Sequence, residues 1–376
     1  MSRPDERSLH KLPLLAPRQT ELETCVFCPK LCRSACPVSN AEPRETLTPW
    51  GKMATAYHLA RADVEPDPSF VLPAWACTGC RACTRACDHG NDVTGTLLTA
   101  RAALRAADMA PPSTTGVVAG FAAQVARADE GAGRVAARTG LSEGGQVGLL
   151  VGCGYLRDAE DEACDAAFAT LALTSASVTL VGGCCGLPLL HAGDEQGFVD
   201  HLEQLASRAA RFSRLVVLDA GCAQALRVEA RTRGVQLPVL PELLVEIAAR
   251  ELARIEPLGS HSRVRYHDPC QLGRGLGVYE APRAVLTRLF GVAPSEFEKS
   301  REGAGCSGAG GLLPVTYPEV SRDIASERVR QHTDEGGGRI VTACASSLKA
   351  FRRAGADADD LVTWLARGLG SKNARG

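Results

Sequence analysis

Hydrophobic and polar positions fall into two regimes, one before and one after about residue 140. In the first, apolar residues recur at helical spacing over 52–62 and 96–109, where Leu97, Leu98, Ala100, Ala103 and Leu104 share a face. Pro111, Pro112 and Ser113 interrupt that pattern, an alanine-rich stretch over 115–137 predicts a further helix, and the glycine-containing segment 140–145 predicts a hinge. In the second regime short apolar runs alternate with helical patterns. Strands are predicted at 146–151, 178–181 and 215–218, with helices at 159–173, 194–211 and 223–233. The same order returns in strands at 264–267 and 339–342 and helices at 281–290, 321–331 and 346–353. Such alternation predicts α/β units.

The cysteines turn this recurrence into a testable duplication. Thirty residues separate Cys153 from Cys184 and thirty-five separate Cys270 from Cys306, while thirty-six separate both Cys185 from Cys222 and Ser307 from Cys344. The flanks agree, since both Cys222 and Cys344 follow an apolar run and small residues. Two similar units of about 110–120 residues are therefore expected after residue 145.

Composition narrows the functional classes. The chain has 376 residues, 45% of them hydrophobic, and 42 Lys+Arg against 43 Asp+Glu leave a net charge of -1. No basic footprint for nucleic acid follows. Segment 1–20 mixes Arg3, Arg7, Lys11 and Arg18 with Asp5 and Glu6 and builds no apolar stretch, which predicts an exposed lead-in without an export signal and a cytoplasmic location. Residues 166–193 contain no Asp, Glu, Lys or Arg, but their Thr, Ser, Gly and Pro content suits a buried helix, a strand and a loop; no transmembrane segment is predicted.

Sixteen cysteines, eight of them before residue 88, exceed what packing requires. In a reducing compartment such thiolates hold metal or do redox chemistry, and disulfide scaffolding is the weaker alternative. The first quartet reads Cys25-x2-Cys28-x3-Cys32-x3-Cys36-Pro37 and the second Cys77-x2-Cys80-x2-Cys83-x3-Cys87. Bacterial ferredoxin runs have this form, with the fourth cysteine ligating the other cluster. Applied to this chain, one [4Fe-4S] cluster takes Cys25, Cys28, Cys32 and Cys87, and the other takes Cys77, Cys80, Cys83 and Cys36. Two departures stand out: an extra residue lies between Cys28 and Cys32, and Asp88 replaces the proline expected after Cys87. Two four-thiolate zinc sites are the alternative, although zinc ribbons usually present separated Cys-x2-Cys pairs.

On these quartets and the cysteine-rich repeats, the chain resembles the two-cluster iron-sulfur subunits related to glycolate oxidase, anaerobic glycerol-3-phosphate dehydrogenase and heterodisulfide reductase. The resemblance runs from about residue 23 to 365. It implies an α/β multidomain protein: an α-helical two-cluster ferredoxin domain followed by two duplicated α/β cysteine-rich units of the CCG type. The expected division is a lead-in (1–20), a ferredoxin-type domain (21–110), a helical linker (111–145) and repeats at 146–258 and 259–376.

The family motif, C…CCG…CxxC, is kept in the first repeat as Cys153, Cys184, Cys185 and Cys222, with Ala225 where the last cysteine falls. Loops at the carboxyl ends of strands converge, so these four form a candidate third metal or redox site, for iron-sulfur or zinc. The second repeat keeps Cys270, Cys306 and Cys344, with Ser307 and Ser347 in place of cysteines. With His267 nearby they form a weaker set, open between a working site and a structural relic. Cys164 lies outside both motifs and reads as core. The glycines over 303–311 lack the Gly-Lys-Ser/Thr of a phosphate loop.

The resemblance implies an electron-transfer subunit that relays single electrons from a flavin-dependent dehydrogenase partner through two [4Fe-4S] clusters to a quinone or another acceptor. Substrate oxidation then belongs to the partner, and the assembly docks on the inner membrane face through that partner. The alternatives are a heterodisulfide- or thiol-reductase-like catalytic subunit working at the C-terminal cysteines, and a zinc-held scaffold or sensor.

Overall fold

In the computed structural model, which describes residues 9–30, 32–141, 143–259 and 263–370, the chain sorts into two units that are not contiguous in sequence. One gathers the chain up to Ala119 with Pro188–Gly197 and Cys306–Ala325; the other holds Gly120–Leu187, Phe198–Gly305 and the chain from Ser326 onward.

The first unit strings short helices between cysteine loops. The Thr48 side chain accepts from the Gly51 N–H and opens the helix Pro49–Ala60, where Pro49 occupies a first-turn position that has no N–H to lose. A Cβ at residue 51 would run into the Glu45 carbonyl, so glycine lets this helix close on the turn before it. Asp92 caps Val93–Ala106 by accepting from the Gly95 N–H. Apolar faces of both helices meet in one core with Leu22, Met53, Tyr57, Trp75, Leu97 and Leu104. The two later segments pack onto this unit through backbone contact. Gly311, at φ +62°, and Gly310 lie so close to the Cys77 and Thr78 carbonyls that a side chain on either would overlap them.

The second unit carries two four-stranded parallel sheets of one design. Strands β1 (Val147–Leu150), β2 (Val178–Leu180), β3 (Arg214–Val217) and β4 (Pro241–Leu243) lie in the order β2-β1-β3-β4. Strands β5 (Val264–Tyr266), β6 (Ser295–Glu296), β7 (Arg339–Thr342) and β8 (Ala358–Asp360) lie in the order β6-β5-β7-β8. Each strand of the second sheet thus takes the place of its counterpart four strands earlier. Register runs through Val147↔Val178 and Leu150↔Val217 in the first sheet and Val264↔Arg339 in the second. Parallel strands covered on both faces read as unbroken apolar runs, which is why β1 and β3 stood out in the sequence. The expected α/β multidomain class, with a helical N-terminal part and duplicated α/β units, is the observed one.

Three expectations need correction. The lead-in over 1–20 is not exposed throughout: Leu9, Leu12 and Leu15 are buried in the N-terminal core, and Pro13–Arg18 forms a short helix; residues 1–8 lie outside the described residues. The helix over 115–137 is two helices, Pro112–Ala119 and Phe121–Thr139, broken at Gly120, and the second belongs to the α/β unit rather than to a linker. The segments 188–197 and 306–325 fall within the expected repeats in sequence but pack in the N-terminal unit. Gly140 does end the helix Phe121–Thr139, in a left-handed conformation at φ +68° that favours glycine.

Candidate iron-sulfur centres

Cys25 ends the helix Gln19–Val26 on its buried face, and Cys28 and Cys32 follow in the turn beyond it. The structure brings Cys28, Cys32 and Cys87 close enough to act on the Cys25 thiol electrostatically, and Cys87 and Cys28 act likewise on Cys32. Burial, with the neighbouring sulfurs, pushes Cys25 up to about 12 and Cys32 up to about 11. Asn91 opposes the first shift: its amide donates to the Cys25 Sγ at 3.0 Å and to the Glu21 carbonyl at 2.8 Å. This pocket therefore has a neutral hydrogen-bond donor.

The second pocket is lined by Cys36, Cys77, Cys80 and Cys83, with Lys52 and Leu97 in its wall. Cys36 comes from the first quartet and the other three from the second. Lys52 is buried on the helix Pro49–Ala60 and donates from Nζ to the Cys36 Sγ at 3.3 Å. Burial pulls its ammonium down, but the Cys36 and Cys77 sulfurs outweigh that and hold it above its ordinary value. Burial raises Cys77, against the pull of Lys52 and Arg101, and raises Cys83 further.

Arg101 projects from the helix Val93–Ala106 and donates to four carbonyls: Ala74 at 2.9 Å, Cys77 at 2.9 Å, His191 at 3.1 Å and Gly311 at 3.0 Å. It ties the Cys77 loop to both later segments of the unit. Burial lowers it to about 10, opposed by Cys77. Four soft sulfurs around one cavity, with two buried cations and no buried carboxylate among the described residues of this unit, suit an anionic thiolate-ligated group.

In the α/β unit, Cys153 opens the helix after β1, Cys184 and Cys185 sit in the loop after β2, and Cys222 lies in the first turn after β3. All three positions are at the carboxyl ends of parallel strands, where such loops converge. Sγ of Cys153 and Cys184 are 3.3 Å apart, and hydrogen bonds continue from Cys184 to Cys185 and on to Cys222. These bonds partly cancel in effect and burial adds to them; Cys184 and Cys222 are pushed up to about 12. Gln124 reaches Sγ of both Cys153 and Cys184, at 3.7 and 3.6 Å, and the His201 ring meets the Cys184 carbonyl at 2.7 Å. Asp219 accepts from the N–H groups of Gly221 and Cys222 and fixes the turn that carries Cys222. Ala225, where the family motif has a cysteine, begins a π-helical turn over Ala225–Glu229, a feature often found beside functional sites.

The weaker set does not gather in one unit. Cys306 belongs to the N-terminal unit, where Gly308 N–H donates to its Sγ at 3.3 Å, whereas His267, Cys270 and Cys344 belong to the other. His267 is a buried core residue, edge-on to Phe351 at 4.7 Å and to Phe297 at 6.2 Å, and burial with Arg328 and Arg274 lowers its pKa. Burial and Asp219 push Cys344 up to about 12. Cys164, expected as core, is half-buried on the helix Glu160–Thr174.

Sequence reasoning missed Lys52, Arg101, Asn91, Gln124 and Asp219. Two of them left a trace: Arg101 lies four residues after Leu97 and three before Leu104 on an otherwise apolar stripe, and Lys52 lies four before Ala56 and seven before Leu59.

Residues 21–91 match a 4Fe-4S dicluster domain and residues 264–350 a cysteine-rich domain of the CCG type. Over 208 residues the chain is 27% identical to one of the subunits of the dihydromethanophenazine:CoB–CoM heterodisulfide reductase of Methanosarcina acetivorans, covering 50% of this chain and 49% of that protein. It is 30% identical over 165 residues to one of the subunits of the fumarate reductase (CoM/CoB) of Methanothermobacter marburgensis, covering 43% of this chain and 32% of that one. The matches thus span about half or less of these relatives' length. A crystal structure of a hypothetical protein from Helicobacter pylori shares the fold, with a TM-score of 0.55 at 10% identity over 96% of this chain and 76% of that one. Among the described residues no helix is long and apolar enough to cross a membrane.

Proposed function

We propose that this chain, which joins a 4Fe-4S dicluster domain to a cysteine-rich domain and is related to subunits of heterodisulfide reductase and to other iron-sulfur proteins, is the electron-transfer subunit of an oxidoreductase. The observation that carries the reading is the pairing of sulfurs across the two quartets, with Cys36 beside Cys77, Cys80 and Cys83, and Cys87 beside Cys25, Cys28 and Cys32. In this reading each set holds one [4Fe-4S] cluster, and a bound cluster supplies one-electron chemistry without a proton or a covalent step. The chain's own residues orient the thiolates and place a cation or a neutral amide beside each sulfur set. The donor is a flavin-dependent dehydrogenase partner and the acceptor a quinone or comparable oxidant; substrate oxidation occurs on the partner. We locate the chain in the cytoplasm, with any membrane contact made through that partner.

Iron, acid-labile sulfide and zinc per chain, measured after anaerobic purification, test the reading. About eight irons and two reducible signals support it; zinc without iron refutes it.

A second reading is favoured by one observation, the run of four sulfurs over Cys153, Cys184, Cys185 and Cys222 with its 3.3 Å Sγ contact. They can hold a third cluster or zinc, or serve a thiol- or disulfide-reducing site. About twelve irons, falling to about eight in Cys185→Ser, assign a cluster to them.

A further inference from the structure

Lys52 and Arg101 are each 2% exposed, and no Asp or Glu is buried among the described residues of their unit. A buried cation without a counter-ion is costly, so two of them acting on the same thiol point to an anion nearby. Lys52 meets the Cys36 Sγ at 3.3 Å, and the charges of both Lys52 and Arg101 act on Cys77. Among the described residues the other pocket has nothing equivalent. Its hydrogen-bonded partner is the neutral Asn91, and the nearby cations Lys30 and Arg33 both pair with Glu45 on the surface.

Resting on the proposed two-cluster reading, we infer that Lys52 and Arg101 make the Cys36/Cys77/Cys80/Cys83 pocket the more easily reduced of the two, and so set the direction in which the relay runs. A four-thiolate cluster is a dianion that becomes a trianion on taking one electron, with no bond formed or broken and no proton required. Fixed positive charge favours the more anionic state, and it does so more strongly where water is excluded. An electron entering on the Cys25 side therefore comes to rest in the pocket whose Cys77 loop packs against Gly310 and Gly311. Lys52 and Arg101 are positioning residues that act through the electrostatics of the pocket.

The test is a potentiometric titration of the full chain with dithionite, followed by electron paramagnetic resonance, for wild type, Lys52→Met, Lys52→Arg and Asn91→Ala, with iron measured on each. Lys52→Met should move the higher-potential step down by at least about tenfold in the reduction equilibrium, about 59 mV for one electron, and leave the lower step in place. Lys52→Arg keeps the charge and should leave both steps near their wild-type positions, whereas a merely structural role for Lys52 would disturb both variants alike. Asn91→Ala should lower only the lower-potential step, which identifies it independently, even where Lys52→Met fails to retain iron. The inference is overturned if Lys52→Met shifts the lower step, or shifts neither while iron is retained, or if Asn91→Ala shifts the higher one. A wild-type chain without iron would overturn the proposed function itself, and this inference with it.

Discussion

Replacing Arg101 by methionine removes a guanidinium that holds four carbonyls from separate parts of the chain. Two of its hydrogen bonds, to Ala74 and Gly311, are fully buried, and the two to Cys77 and His191 are partly so. A carbonyl left buried without a donor costs about 1–3 kcal/mol, while a partly exposed one can take water instead. The two buried carbonyls therefore set the expected loss at about 2–6 kcal/mol, and relief from burying a guanidinium brings it toward the lower half of that range. Arg101→Lys keeps the charge but presents its donors from one nitrogen rather than from a planar fork, so it should fall between wild type and methionine. Anaerobic urea unfolding, followed through the visible absorbance of the N-terminal unit, reads this directly. Limited proteolysis should show earlier cleavage in the segments 188–197 and 306–325, which Arg101 ties down through the His191 and Gly311 carbonyls. A methionine variant that unfolds within about 1 kcal/mol of wild type, with unchanged proteolysis, would refute the view that these carbonyls depend on Arg101.

Cys36→Ser should remove or alter the signal of the pocket shared with Cys77, Cys80 and Cys83 while leaving the other; loss of the Cys25-side signal alone would show that the quartets are not crossed. Asp360 accepts from the Tyr155 hydroxyl at 2.6 Å, and burial, against that hydrogen bond, raises its carboxyl from 3.8 to about 7. A raised folded value favours the protonated form, so this contribution is full below about pH 4 and is lost as pH rises through about 7. The loaded protein should thus lose up to about 4 kcal/mol across that window, and Asp360→Asn should flatten that dependence on pH; denaturant melts at about pH 5.5 and 8 that give wild type and Asp360→Asn the same change in stability would count against it.

The parts of this molecule that the sequence exposes are those in which one periodicity or spacing repeats. β1 and β3 are buried on both faces and therefore appear as unbroken apolar runs, and the cysteine quartets have few ways to fold around a compact group. What stays hidden depends on distant segments meeting. The short strands β4, β6 and β8 read Pro-Glu-Leu, Ser-Glu and Ala-Asp-Asp and so show no apolar run. The exchange of Pro188–Gly197 and Cys306–Ala325 into the N-terminal unit has no local signature, because it rests on Gly310 and Gly311 reaching the Cys77 loop from more than two hundred residues away. A charge inside an apolar stripe is the intermediate case. Arg101 between Leu97 and Leu104 declares that something polar waits in the core, but the sequence does not say that it is the carbonyls of Ala74, Cys77, His191 and Gly311 and a nearby sulfur.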